Sequence, residues 1–592
     1  MTQVNPPPHL EIPEKFLSEP ETRVFFEQQR QVLFQLFNRT GGNTDIIAIG
    51  ENDTIVELIP GLLTATIDNA LVTVLGFHTA GDSGGGDFFY DPLQDRANHN
   101  GVTIVDPTNT ADLVTWDAAA QITWFTAGTG LGCWIRLLED EWITPEMAGA
   151  KSDSTDKLKI LSEILLEFDN IKLTDFYPIS DALDLKLNHN ITGIGRMLCG
   201  LKPTANSIHL IDITQVSLTR LGIEISHIGF DAAGFTGIFG IAPTLAASLH
   251  FHDLYFKGVK DVFLVDRGRT INIHDILVEG DSPLKAGKSN FTDTTGATFL
   301  QELTIDKYFI HNIGNGVESP ALKFTRVTSA RISDFITNSL FDNVSASADG
   351  ISITDDCQSV KIIGGHIVKP NIGIRTEDGV SVDPTYIEIV GTDIDQALAN
   401  SVAFNSGSHL YINGGVFTDE VSNSININTD VVSVRNVDIS SSGANGIVVS
   451  ANVVQFQIQN NVFTNITSTP IVVSTGTSNS YSIVGNNVSL SNGGTIVDNG
   501  TGSSKHIHNN IGRRTKNSGT GSITNGGTTD VITHGLGITP LAENISILGL
   551  ENPTVDIGNI WVDTITSTQF TVNVRTDPST NNWDFGWFVN DI

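Results

Sequence analysis

Two adjacent pairs of carboxylates, Asp355 with Asp356 and Glu377 with Asp378, are the best acid–base candidates in the chain. Their spacing puts them near equivalent points of a repeated unit, together with Asp266 and Arg267, Glu302, and Arg326. In stacked coils, neighbouring copies of one position lie about 4.8 Å apart. Two carboxyl groups about 5 to 9.5 Å apart can cleave a glycosidic bond, one protonating the leaving oxygen while the other activates water or attacks the sugar. Arg326 and Arg375 are placed to orient a sugar or balance charge, and Glu302 and Asp306 are second choices. The plainer reading is that acidic residues at turns stay in water, as many must in a chain with 66 Asp plus Glu.

Sugar stacking calls for aromatic faces, yet all seven Trp lie outside residues 143–550. Tyr386 and Tyr411, which follow the carboxylate positions, are therefore the candidate platforms. His250 with His252 and His506 with His508 form His-x-His pairs whose rings point the same way on a strand. Three chains would give six such ligands on a threefold axis, but the expectation is ordinary polar strand residues, with no metal and no cofactor. Gly81-Asp-Ser-Gly-Gly-Gly86 lacks a following Lys-Ser/Thr and a helix pattern, so it is expected to be a turn between strands. Cys133, Cys199 and Cys357 are too few and too far apart for a disulfide framework.

The elements that must hold these residues are visible as a repeat. IIGGHI at Ile362, IVGTDI at Ile389, INGGVF at Ile412, VRNVDI at Val434, IQNNVF at Ile458 and IVGNNV at Ile483 recur about every 24 residues. FHDL at Phe251, IHDI at Ile273 and ISDF at Ile332 extend the signal upstream at less regular intervals. One coil of short strands cannot bury its own apolar face, whereas stacked coils line an interior with Ile, Val and Phe. The central Gly and Asn of each motif suit left-handed turns and side-chain ladders. The fold class expected is all-β, a right-handed parallel β-helix over residues 143–512, the hand following from parallel crossovers.

Around it, residues 1–45 are read as an extended Pro-rich start and a helix with capping-box spacing between Ser18 and Glu21, ending near Gly41. Residues 46–142 alternate as a small β-rich head domain, and an entry helix is expected over 155–168, with Leu158, Leu161, Leu165 and Phe168 as its apolar stripe. Residues 513–592 read as a C-terminal β-sandwich.

Three stretches carry a resemblance to known proteins. Gly149-Ala-Lys-Ser-Asp-Ser-Thr-Asp156 resembles the entry loop of the pectate-lyase-like β-helix superfamily found in many bacteriophage tail spikes, with Ser152 and Ser154 where glycines are usual. Phe25-Phe26-Glu27 to Arg39-Thr40-Gly41-Gly42 looks like virion-attachment segments of phage tail proteins. Thr533-His-Gly-Leu-Gly-Ile-Thr-Pro540 with Trp561-Val562 and Thr568-Gln-Phe-Thr571 resembles a small domain at the ends of tail spikes and fibres. The resemblance implies a homotrimeric spike, attached through its N-terminus to phage tail or baseplate proteins, that binds and depolymerises host capsule or lipopolysaccharide, by hydrolysis in preference to elimination. A non-enzymatic receptor-binding adhesin is the competing reading, and a bacterial secreted polysaccharide lyase is a third, weakened by the missing export signal and the phage-like ends.

The bulk numbers agree with that class. A net charge of −33 from 33 basic and 66 acidic residues repels phosphate backbones and anionic membranes, so neither a nucleic-acid partner nor membrane insertion is expected. The sequence reads without a signal peptide or a stretch of about 18 apolar residues, as expected of a virion component released by lysis and equally of an ordinary cytoplasmic protein.

Overall fold

The computed structural model describes residues 54–590, apart from 57–58, 65–70, 152, 187, 281–286, 295–299, 312–319, 339–348, 378–382, 451–452, 477–479, 492–495, 503, 513–515, 537–538 and 554. The expected N-terminal helix therefore lies outside the described residues, as does Asp378. The chain divides into two compact units, residues 1–151 with 159–167, and residues 152–158 with 168–592.

In the first unit a mixed sheet is built from β1 (Thr54–Val56), β2 (Leu71–Val74), β3 (Gly86–Asp95), β4 (Ile104–Val105) and β5 (Leu131–Arg136), in the order β1-β2-β3-β5-β4. The Gly-rich loop joins β2 to β3, which pair antiparallel with Val74 opposite Gly86. It is closed by the chain's own anion: the Asp82 carboxylate accepts from the amides of Phe77, His78, Thr79 and Gly84. The expected turn is borne out, and its amide donors serve that carboxylate. The helix Leu158–Glu167 forms close to where it was expected, but it buries Ile160, Leu161, Ile164 and Leu165. Leu158 and Phe168, at its two ends, are only half-buried.

The second unit is dominated by a parallel β-solenoid, as the repeat requires. Its register follows one column from Ile171 through Ile191, Ile225, Phe251, Ile273, Ile305, Ile332, Ile362, Ile389, Ile412, Val434 and Ile458 to Ile483 and Ile507. Every motif aligned in the sequence thus stacks on its neighbour. A leading ladder runs through Leu322, Ile351, Ile374, Val402, Ile425, Ile447, Ile471 and Ile496, and a trailing one through Ile394, Phe417, Ile439 and Phe463. We call the column of motifs the middle ladder. All these side chains are buried and form the interior, where the loss of apolar surface from water supplies the driving force.

From Ile225 onward, the residue two beyond each middle-ladder Ile, Val or Phe turns the backbone left-handed, beginning with His227 at φ 57°. Asp253, Asp275, Lys307, Asp334, Gly364, Gly391, Gly414, Asn436, Asn460, Gly485 and Asn509 all have φ between 47 and 74°. Gly, Asn and Asp tolerate that region best, which explains the centre of the motif. The following position becomes a buried amide ladder in the late coils. The Asn461 side chain donates to Asn486 Oδ1 at 2.9 Å, and Asn486 donates to Asn510 Oδ1 at 2.9 Å. The carbonyl oxygen of each also accepts a backbone amide of the preceding coil.

Beyond the solenoid, two antiparallel three-stranded sheets, Lys516–Ile523 with Trp583–Asn590 and Ile545–Gly549, and Thr529–Thr533 with Gln569–Val574 and Ile560–Asp563, form a sandwich. Its core holds Ile523, Ile532, Phe570, Val572, Trp583 and Phe585. Among the described residues no helix is long and apolar enough to cross a membrane.

Candidate functional site

The outward side of the middle ladder is set by strand alternation. In Tyr386–Val390 and His409–Asn413, Ile387, Ile389, Leu410 and Ile412 point inward, so Tyr386, Glu388, His409, Tyr411 and Asn413 point out. Val431–Arg435 and Gln455–Gln459 continue the face with Ser433, Arg435 and Gln457. All of these outward residues except His409 line an open groove of about 580 Å³.

Within it the rings of Tyr386 and Tyr411 lie 5.3 Å apart, inclined at 36°. Lys361 Nζ sits 3.0 Å from Glu388 Oε2, and the Tyr386 hydroxyl donates to the same oxygen at 3.5 Å. Partial burial and the Glu388 charge push the Tyr386 phenol up, so it stays a neutral donor. Arg435 donates to Gln457 Oε1. Aromatic faces, a carboxylate, cations and amides on a shallow strip give both stacking surface and hydroxyl partners. Tyr177, Tyr255, Tyr308 and Tyr481 are buried, which leaves the two tyrosines singled out in the sequence as the ones able to meet a ligand on the solenoid.

The candidate carboxylates occupy the turn between the leading and middle ladders. Asp266 pairs in register with Thr292, Thr292 with Thr325, and Thr325 with Thr354. Since Ile353 pairs with Thr376, Glu377 takes the next place after Thr354. One residue on, Arg267, Arg326 and Asp355 share a left-handed backbone, with φ of 59, 57 and 38°. The alignment made from sequence therefore holds for Asp266–Arg267, Arg326, Asp355 and Glu377. Glu302 does not belong to it, since it sits opposite Thr270, whose hydroxyl it accepts at 2.5 Å, and Asp293 follows Thr292 in the shared column. The error came from the long interval between coils, which hid the strand Lys288–Thr292. Asp306 projects from the middle ladder and accepts from the Ser333 hydroxyl at 2.6 Å.

Arg326 reaches Asp355 at 2.9 Å, and Arg375 pairs with Glu377 and, at 2.7 Å, with Asp349. Thus each arginine singled out in the sequence meets a singled-out carboxylate. Asp356 is half-buried at φ 49°. Asp349 was missed by sequence reasoning. It is buried, which pushes its carboxyl above the usual range despite the opposing pull of Arg375 and the donors Ile372 N and Asn371 Nδ2. Buried Glu420 is likewise raised by burial, with the Ser401 and Ser424 hydroxyls opposing. The outward partners Lys361, Glu388, Arg435 and Gln457 were also missed, although each sits one residue to either side of an aligned motif residue.

Residues 55–139 match the family described as the phage tail protein small four-stranded beta-sheet domain. No curated protein sequence matches the chain. Among solved structures, the chain is similar to the A-module of the Azotobacter vinelandii mannuronan C-5 epimerase AlgE6, at 11% identity over 62% of this chain and 98% of that one, TM-score 0.42. It is also similar to the gp42 tailspike of Acinetobacter phage vb_AbaP_AS12, at 13% identity over 90% and 89%, TM-score 0.39. A third is tailspike protein gp49 of Acinetobacter baumannii bacteriophage Fri1, described as a capsular polysaccharide depolymerase, at 10% identity over 91% and 98%, TM-score 0.31.

Proposed function

We propose that this phage tail protein, a parallel β-solenoid that carries a phage tail β-sheet domain, is the spike that holds a host-surface polysaccharide along the outer face of its coils and depolymerises it. The observation that carries the reading is the groove itself: Tyr386 and Tyr411 stand as a pair among Glu388, Arg435 and Gln457 on one sheet face. The turn bearing Asp355 and Asp356 leads into that sheet through the strand that begins at Val360, and Glu377 precedes in sequence the strand that begins at Tyr386. In this proposal the sugar ring packs on the tyrosines while two carboxyl groups from neighbouring coils, drawn from Asp355, Asp356, Glu377 and Asp378, act as acid and base. Arg326 and Arg375 set their orientation. Three chains associate, residues 1–45 attach to the tail, and the C-terminal sandwich holds the trimer or contacts glycan.

Binding without cleavage is the second reading, and one observation favours it. Asp355 and Glu377 already stand in ion pairs with Arg326 and Arg375, an arrangement that serves to brace turns as well as to do chemistry. Incubation with capsule or lipopolysaccharide from sensitive hosts, read as fragment size and new reducing ends, separates the two. Cleavage by the wild type that falls at least about a hundredfold in folded Asp355→Asn, Asp356→Asn, Glu377→Gln or Asp378→Asn supports the proposed acid–base pair. Cleavage retained in all four moves the chemistry off these coils. Tight binding with no shortening of the glycan leaves the adhesin.

A further inference from the structure

A second cluster stands on the outward side of the middle ladder in the early coils, away from the tyrosine groove. His250 and His252 project on either side of buried Phe251, and Glu224 is the register partner of His250 on the preceding coil. The three side chains leave one sheet face from two adjacent rungs. Glu224 Oε1 lies 3.0 Å from His252 Nε2. The ligand atoms of Glu224, His250 and His252 all fall within 4.8 Å of one another.

We infer that Glu224, His250 and His252 form a site for a divalent transition-metal ion of the zinc class. Tetrahedral coordination at about 2.0 to 2.1 Å requires donor atoms about 3.3 Å apart, so the Glu224–His252 edge is nearly formed and the other distances close by no more than about 1.5 Å. Two imidazoles and one carboxylate suit zinc, cobalt and nickel, whereas calcium and magnesium prefer oxygen alone. The fourth position is open to water or a sugar oxygen.

The surroundings orient the ligands. Asp253 Oδ2 lies 3.4 Å from His252 Nδ1, on the ring nitrogen opposite the one that faces Glu224, where a carboxylate fixes a ligating imidazole. The His274 ring stacks on His252 at 4.8 Å and 8°, and its Nε2 is 2.9 Å from His250 Nε2. Only 14% of the His252 side chain is exposed, against 48% of Glu224, so the site is held from beneath and open above. His227, His252 and Asp253 form an overlapping trio, but using it would take Asp253 away from its orienting place.

The test uses the full, tag-free chain, stripped with chelator and titrated with Co²⁺. One equivalent per chain, with the intense visible bands of a four-coordinate ion and displaced by Zn²⁺, is expected. Glu224→Ala, whose side chain is half-exposed, and His250→Ala should abolish those bands. Asp253→Asn should weaken affinity about 10- to 100-fold. His227→Ala and the double variant His506→Ala with His508→Ala should bind as the wild type does. Absence of Co²⁺ binding in the wild type overturns the proposal. So do bands that survive in Glu224→Ala and His250→Ala, or that vanish in His227→Ala.

Discussion

Asp355 and Asp153 show how differently two carboxylates beside a cation can be used. Asp355 faces Arg326 on the turn that enters the groove-bearing sheet, whereas Asp153 meets Lys157, a lysine only 2% exposed, at 2.5 Å. Partial burial pushes the Asp153 carboxyl up, but the Lys157 ammonium and the Thr155 hydroxyl and amide outweigh it and hold it at about 2. Because the folded value lies below the ordinary 3.8, the stabilisation is present above that pH and is lost as pH falls towards 2. Asp153→Asn should cost about 1–2 kcal/mol near neutrality, discounted because the carboxylate is partly exposed. Melting temperatures of variant and wild type should converge as pH falls to about 2. In the groove, Tyr411→Ala should weaken glycan binding about tenfold or more while Tyr411→Phe largely preserves it, if ring stacking is the main contact. Titration against purified glycan fragments reads this directly. Burial also pushes the Cys357 thiol up to about 12 and the Cys133 thiol to about 11, so thiol reagents should label neither until the fold opens.

The repeating unit is held by two devices on adjoining positions, a left-handed backbone residue and, in late coils, a buried amide. Gly391 has φ 61° with nothing within 4 Å of where a Cβ would stand, so Gly391→Ala isolates the backbone effect. It should cost about 1 kcal/mol, and Gly391→Asn less. Asn486 is fully buried and joins Asn461 to Asn510 while donating to the Ile458 carbonyl. Removing it leaves donors and acceptors stranded on both neighbouring coils, and Asn486→Ala should cost about 2–4 kcal/mol. Denaturant midpoints of the two variants test the order, Asn486→Ala lying well below Gly391→Ala.

At the scale of the whole molecule, the charge of −33 governs what can approach it. For an anionic glycan, repulsion extends about 30 Å at 0.01 M salt and about 8 Å at 0.15 M. Affinity for such a polymer should therefore rise with moderate salt, and affinity for a neutral one should change little. Binding isotherms at the two salt concentrations separate the cases. The proposed assembly predicts a particle of three 63.6 kDa chains by sedimentation equilibrium. A single-chain mass at micromolar concentration would remove the trimer from the proposal.

Much of this was legible in the chain, because a solenoid writes each coil as a near copy of the last. The spacing from Ile362 to Ile483 determined the ladder, the inward Ile, Val and Phe, and the left-handed Gly and Asn positions, each a local or nearest-neighbour property. Tyr386 and Tyr411 could be singled out because both follow the carboxylate positions in a stretch that holds no Trp. Only the tertiary structure decided which side chains face one another across coils of unequal length. It removed Glu302 from the carboxylate column, put Asp293 there, and drew Arg326 to Asp355. It also gathered Glu224, His250, His252 and His274, whose separation of up to fifty residues collapses to three successive rungs once parallel strands pair at about 4.8 Å.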